Sequence, residues 1–176
     1  MWEKKRGGAI SITVYQGDIT QLDCDCIVNA ANKTLLGGRG VDGAIHREAG
    51  PKLVKECRTL YGCNTGEAKI TKGYNLKARY VIHTVGPIYS ATEEDKIMLG
   101  SCYWNSLNLA KEHDIHTIAF PGISTGVYGY PIVEAVPIAI STITRWIDDN
   151  KDYAMDVVLS CFNQKTYDTF QDLLEG

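Results

Sequence analysis

Proline and phenylalanine are scarce in this chain of 176 residues, at five and three respectively. No stretch is rich enough in Pro, Ser or Gly to mark a linker, and no segment repeats. The chain therefore reads as one domain over residues 1–176. No apolar run approaches the ~20 residues that a bilayer-spanning helix needs, so no membrane partner is expected. Neither sign of charge dominates: 18 Lys and Arg against 21 Asp and Glu leave a formal net charge of -3. That balance supplies no global attraction for a polyanion, and nucleic acid is not an expected partner without a local basic patch. Cys-x-x-Cys spacing is missing as well. Cys24 and Cys26 are separated by one residue, Cys57 and Cys63 by five, and no nearby His pair completes a ligand set, so no metal is expected. There is no Gly-Lys-Ser/Thr of a P-loop and no GxGxxG. No Ser/His/Asp or Cys/His set can be assembled from the spacing.

What remains is an ordinary globular composition, with 44% apolar and 22% charged residues. The opening Met1-Trp-Glu-Lys-Lys-Arg-Gly-Gly is charged and leads into a β-like run rather than an apolar signal core. Free thiols, a cytoplasmic location and a monomer are the expectation.

Short apolar, β-branched runs predict strands at residues 9–15, 26–30, 68–71, 80–85, 117–120 and 156–162. Most are apolar on both faces, as in interior strands covered from each side. Between them lie helical stripes: Val41, Ala44, Ile45 and Ala49, then Leu53, Val54 and Cys57 after a restart at Pro51. Thr92-Glu-Glu-Asp95 resembles a capping box ahead of Leu99, Cys102, Tyr103, Leu107 and Ala110. Val136, Ile140, Ile143 and Ile147 form another stripe, in which Pro137 predicts a kink or a late start. Asn163 caps a last helix carrying Tyr167, Phe170 and Leu174. This alternation predicts a three-layer α/β/α sandwich on a mixed, mostly parallel central sheet, with ligands at the carboxyl ends of its strands.

Three segments carry chemistry. Asp18, in Gln16-Gly-Asp-Ile-Thr20, either caps its own turn or accepts from an exocyclic amine such as adenine's. Asn29 and Asn32 close a strand with paired donors and acceptors suited to ribose hydroxyls; asparagines beside glycines also simply stabilise turns. Gly37-Gly38-Arg39-Gly40 then leads into a helix whose N-terminal dipole suits a phosphate. Asp42 in that first turn is either a dipole-stabilised structural carboxylate or the group that orients a water. Ser124-Thr-Gly-Val-Tyr-Gly129 is either a plain strand-to-helix connection or a second phosphate loop, with Tyr128 packing on a sugar and Pro131 at the first helical position. His46 and His83 read as packing residues, His83 as a satisfied core histidine, and His113 and His116 as surface or helix-end residues.

Together these segments resemble the macro domain family, and within it the MacroD-type ADP-ribosyl hydrolases, from about Ser11 to Leu174. The resemblance rests on Gln16-Gly-Asp-Ile-Thr20, Val28-Asn-Ala-Ala-Asn32, Gly40-Val-Asp-Gly-Ala-Ile-His46, His83-Thr-Val-Gly-Pro87 and Ile123-Ser-Thr-Gly-Val-Tyr-Gly-Tyr-Pro131. It implies ADP-ribose as ligand, with Asp18 and the Ile19 backbone at adenine and Phe162 stacked on it. Gly38, Gly40 and Val41 form one diphosphate loop, and Ser124, Thr125, Gly126, Val127 and Tyr128 form the other. Asn32 and Asp42 match the pair implicated in hydrolysis, with Asn29 nearby. The implied reaction is attack by water on an ester of the distal ribose. It frees mono-ADP-ribose from Asp or Glu side chains of proteins, or deacetylates O-acetyl-ADP-ribose, with no metal or redox cofactor. Either Asp42 or the ligand diphosphate positions the water.

One residue departs from the pattern, because many relatives have glycine where Arg39 stands. If that position needs φ > 0, arginine is strained there; if not, its side chain faces solvent or reaches phosphate. Rival functions are an ADP-ribose reader without turnover, an RNA-associated regulator, and a phosphatase acting on ADP-ribose 1″-phosphate.

Overall fold

The computed structural model describes residues 2–6 and 10–175, with side chains from residue 12 onward. Met1, residues 7–9 and Gly176 lie outside the described residues, and with them the first residue of the strand expected at 9–15.

Among the described residues seven strands form one sheet: β1 (Trp2–Arg6), β2 (Ile10–Gln16), β3 (Cys26–Ala30), β4 (Ala68–Lys72), β5 (Tyr80–Thr84), β6 (Thr117–Phe120) and β7 (Asp156–Cys161). Their spatial order is β1-β2-β7-β6-β3-β5-β4. The five interior strands run parallel, and both edge strands are antiparallel to their neighbours. β1 was not expected, since four of its five residues are charged and it shows no apolar alternation. Its position explains the composition: charges on an outer strand discourage edge-to-edge pairing with another sheet.

Among the described residues five α-helices cover the sheet: α1 (Gly40–Ala49), α2 (Pro51–Arg58), α3 (Glu93–Glu112), α4 (Ile132–Asp149) and α5 (Gln164–Glu175). Alternate residues of the interior strands, from residue 12 onward, serve opposite layers. Ile27, Val81 and Ala119 pack under α1 and α2 with Ile45, Leu53 and Cys57. Their neighbours Val28, Ile82, Phe120 and Leu159 pack under α3, α4 and α5, among Leu99, Leu107, Ile143, Trp146 and Phe170. This is the expected three-layer sandwich. Each fully buried aliphatic side chain contributes about 1.5–3 kcal/mol.

The expected helix ends are present. Thr92 and Asp95 form a reciprocal capping box on α3, and the Asn163 carboxamide accepts from Thr166 N at 2.8 Å ahead of α5. Pro131 is the N-cap of α4 rather than its first residue. Pro137 neither delays nor divides α4, which is continuous from Ile132. The carbonyl it leaves without a donor belongs to Val133, whose side chain is exposed, and lies near the helix start where the loss is smallest.

Candidate active site

The loops leaving the carboxyl ends of the parallel strands enclose a cavity of about 580 Å³. Ala30 ends β3 and Ala31 and Asn32 follow it into the cavity, Pro121, Gly122 and Ser124 to Tyr128 follow β6, and Ser160 and Cys161 end β7 with Phe162 and Asn163 beyond. Gly38 to Asp42, at the start of α1, form the facing wall. The two glycine loops therefore do meet at one site.

Gly37 (φ 100°) and Gly40 (φ 60°) take left-handed backbone that side chains resist, whereas Arg39 between them has φ -105°. Arginine is consequently unstrained in the loop, and its exposed residue lines the cavity mouth. Gly38 is required for a different reason. A Cβ there would stand 2.9 Å from Asp42 Oδ2 and 3.4 Å from Asn32 Nδ2, so the missing side chain opens the space beside both groups. The first turn of α1 leaves its N–H groups without helical partners and carries the positive end of the dipole.

Asp42 lies at the cavity floor, 3% exposed. Its Oδ1 accepts from Asn29 Nδ2 at 2.8 Å, and His46 Nε2 lies 3.4 Å from the same oxygen. Asn32 Nδ2 donates to Gly37 O at 3.0 Å, while Asn32 Oδ1 accepts from Thr34 Oγ1 and Leu35 N. One amide hydrogen of Asn32 is left for a ligand. Asn29, expected at a ribose hydroxyl, is instead fully buried, does not line the cavity, and spends its amide on Asp42 and on His83 Nδ1 (3.1 Å). It holds the carboxylate rather than a ribose hydroxyl. His83 is the satisfied core histidine expected, with Nε2 3.0 Å from Thr71 Oγ1. Burial, reinforced by the neighbouring His46 and opposed by Asp42, pushes its pKa down to about 4.

The second loop differs from expectation in how it meets an anion. Ser124 is buried at φ 64° and donates its hydroxyl to Pro87 O at 2.8 Å; Thr125 Oγ1 donates to Gly122 O at 2.9 Å. Both hydroxyl protons are spent on backbone carbonyls, so the hydroxyls do not grip phosphate as donors. The groups that remain are the N–H groups of Gly126, Val127 and Tyr128, which have no partner among the described residues and suit an anion. Tyr128 lines the same wall, half-buried.

At the far end Phe162, 65% exposed, lies one residue beyond β7 and forms an aromatic platform on the cavity rim. Ile19 lines the cavity, but Asp18 does not. Asp18 is exposed, and its Oδ1 accepts from Thr20 N (2.9 Å) and Thr20 Oγ1 (2.7 Å), capping a short 3-10 turn. Its Oδ2 has no partner among the described residues and stays available.

Sequence reasoning missed Gly86, Asn163 and Thr166 as lining residues. Gly86 carries a readable signal, since it sits in the motif opened by His83; a Cβ there would overlap Ser124 Oγ. The Cys161 thiol also lines the cavity, but burial pushes it up to about 11, so it is not a thiolate nucleophile at neutral pH.

The macro domain family matches residues 28–139 of the chain. The chain is 54% identical to a macro domain-containing protein of Chlorobaculum tepidum, covering 94% of this chain and 96% of that protein. It is 57% identical to the ADP-ribose glycohydrolase MACROD2 of Xenopus laevis over 85% of this chain, which spans only 36% of that longer protein. The crystal structure of a Trypanosoma brucei macrodomain in complex with ADP-ribose superposes with a TM-score of 0.88 at 45% identity, covering 93% of this chain and 68% of that one.

Proposed function

The chain belongs to the macro domain family, and on that footing we propose that it is an ADP-ribosyl hydrolase. It removes mono-ADP-ribose from acidic side chains of proteins and deacetylates O-acetyl-ADP-ribose. The observation that carries this reading is Asp42: a carboxylate held at the cavity floor, with Gly38 leaving open the space beside its Oδ2 and Asn32 next to it. A protein that only reads ADP-ribose needs the walls of the cavity but not this pair. The similarity to MACROD2, an ADP-ribose glycohydrolase, points the same way.

The ligand lies across the cavity, with adenine against Phe162 and within reach of Asp18 Oδ2, and the diphosphate between the two sets of N–H groups. The distal ribose then rests over Asn32, Gly38 and Asp42, beside Tyr128. The oxygen of water bonds to the acyl carbon while the bond from that carbon to the ribose oxygen breaks. The ribose keeps a hydroxyl, the acid leaves as carboxylate, and one proton passes to solvent. Asp42 and the diphosphate are both weak bases, so holding the water in line contributes more than basicity. No step calls on a metal or redox cofactor. We assign the protein to a reducing compartment, the cytoplasm, on its six free thiols, and take it to act as a monomer.

The test is incubation with a protein ADP-ribosylated on glutamate, with O-acetyl-ADP-ribose in parallel. Release of ADP-ribose by the wild type, lost in Asp42→Ala, supports the hydrolase. An unchanged label with intact ADP-ribose binding leaves a reader module instead.

A further inference from the structure

His83 never reaches the cavity, yet it stands at a fixed point in a chain of hydrogen bonds that ends on Asp42. The chain starts at the Thr71 hydroxyl on β4, which donates to the Lys72 carbonyl at 3.1 Å. With its one proton used there, Thr71 Oγ1 presents a lone pair to His83 Nε2 at 3.0 Å. Nε2 then carries the imidazole proton and Nδ1 is an acceptor, the arrangement that the Asn29 Nδ2 donor facing Nδ1 also requires. Asn29 stands in register with His83 across β3 and β5, with its Nδ2 3.1 Å from that acceptor. The second hydrogen of Nδ2 goes to Asp42 Oδ1.

We propose that His83 is a positioning residue of the hydrolase site: its Nε2–H tautomer fixes the Asn29 carboxamide in the one orientation that ties down Asp42. The proposal rests on the hydrolase reading and names a residue for it that the ligand never touches. The hydrogen bonds along this chain are directional. Both neighbours of Asn29 Nδ2 are acceptors, and Asn29 Oδ1 is buried without a hydrogen-bond partner. Turning the amide over would place that oxygen against the carboxylate and the imidazole lone pair, and would remove the N–H from Asp42. Protonating Nδ1 would favour the wrong orientation. Burial opposes that charge, as does His46, while Asp42 favours it; Cys57 Sγ, 3.8 Å from Nε2, stays a neutral thiol. The unsatisfied Asn29 oxygen is thus the cost of an amide whose nitrogen is wanted on the other side.

Two measurements test this. The first does not depend on activity: long-range ¹⁵N–¹H spectra of the histidine rings at neutral pH. His83 is expected as the neutral Nε2–H tautomer, and an Nδ1–H tautomer or an imidazolium overturns the proposal. The second is a double-mutant cycle read as kcat and KM on the glutamate-linked ester, with each variant checked by melting and by ADP-ribose calorimetry. His83→Leu is expected to lower kcat about 10-fold or more, with KM within about threefold. His83→Asn, whose Oδ1 falls near the Nδ1 position, is expected to restore kcat to within about threefold of wild type. In an Asn29→Ala background, His83→Leu should change kcat by less than about twofold, because the link is already cut. Losses that multiply, or an unchanged kcat in His83→Leu, overturn the proposal. Should His83→Leu not fold, Thr71→Val removes the acceptor for Nε2–H, raising the Nδ1–H tautomer and lowering kcat about threefold or more; no change in either overturns it. A wild type that hydrolyses nothing defeats the hydrolase reading alone, and the tautomer spectrum still decides the positioning.

Discussion

Asn29 Nδ2 and Asp42 Oδ1 stand 2.8 Å apart in a part of the protein where neither residue exceeds 3% exposure. A buried carboxylate needs such a donor, because desolvation without one is costly. Asn29→Ala removes the donor to Asp42 and the partner of His83 together. Unfolding stability is expected to fall by about 1–3 kcal/mol, read as a lower melting temperature. Turnover should fall with ADP-ribose affinity kept within about threefold, as for a group that acts through another.

Gly38→Ala places a methyl group 2.9 Å from Asp42 Oδ2. The backbone there is not left-handed, so folding is preserved while the space beside the carboxylate closes. Turnover is expected to drop about 10-fold or more, in line with what small misplacements cost at a reacting centre. Melting curves with steady-state kinetics check this. A wild-type rate would mean that the water does not sit beside Oδ2.

At the other end of the cavity, Phe162→Ala removes the exposed platform and leaves β7 intact. Loss of one base stack is worth about 1–3 kcal/mol, so ADP-ribose should bind roughly 5- to 150-fold more weakly by calorimetry, with kcat at saturation little changed. Asp18→Ala is expected to weaken binding too, and to lose the cap of its 3-10 turn, worth about 1 kcal/mol of stability.

The depressed pKa of His83 makes an acid-stability prediction. In the unfolded chain this histidine takes up a proton near pH 6.5, whereas in the fold it does so only at about 4. Between those values the unfolded state binds more protons, so stability falls as pH drops. The contribution is complete above about pH 6.5, is lost progressively toward pH 4, and amounts to roughly 3 kcal/mol. Urea titrations across that window should show a steeper acid loss in wild type than in His83→Asn.

Much of the fold and of the site is legible in the sequence, for physical reasons. Short β-branched runs apolar on both faces, the Thr92 box and the Asn163 cap are local signals, and all of them held. β1 was not readable, because an edge strand can be charged throughout. Asp42 could be placed at a helix start by counting, but the Asn29–His83–Thr71 chain could not. Its members lie 54 and 12 residues apart and meet only through strand register. Ser124 misled for the opposite reason. Its residue type promises a donor to phosphate, while its left-handed backbone turns the hydroxyl to Pro87. Arg39 looked out of place among glycines until its extended φ showed that the position accepts a side chain.

The most direct test is single-turnover release of ADP-ribose from a glutamate-modified protein by wild type and Asp42→Ala. The expected result is complete release by wild type and a rate at least about 100-fold lower in the variant, with ADP-ribose affinity preserved. Equal rates in the two proteins, or an unchanged label under excess wild type, would contradict the account.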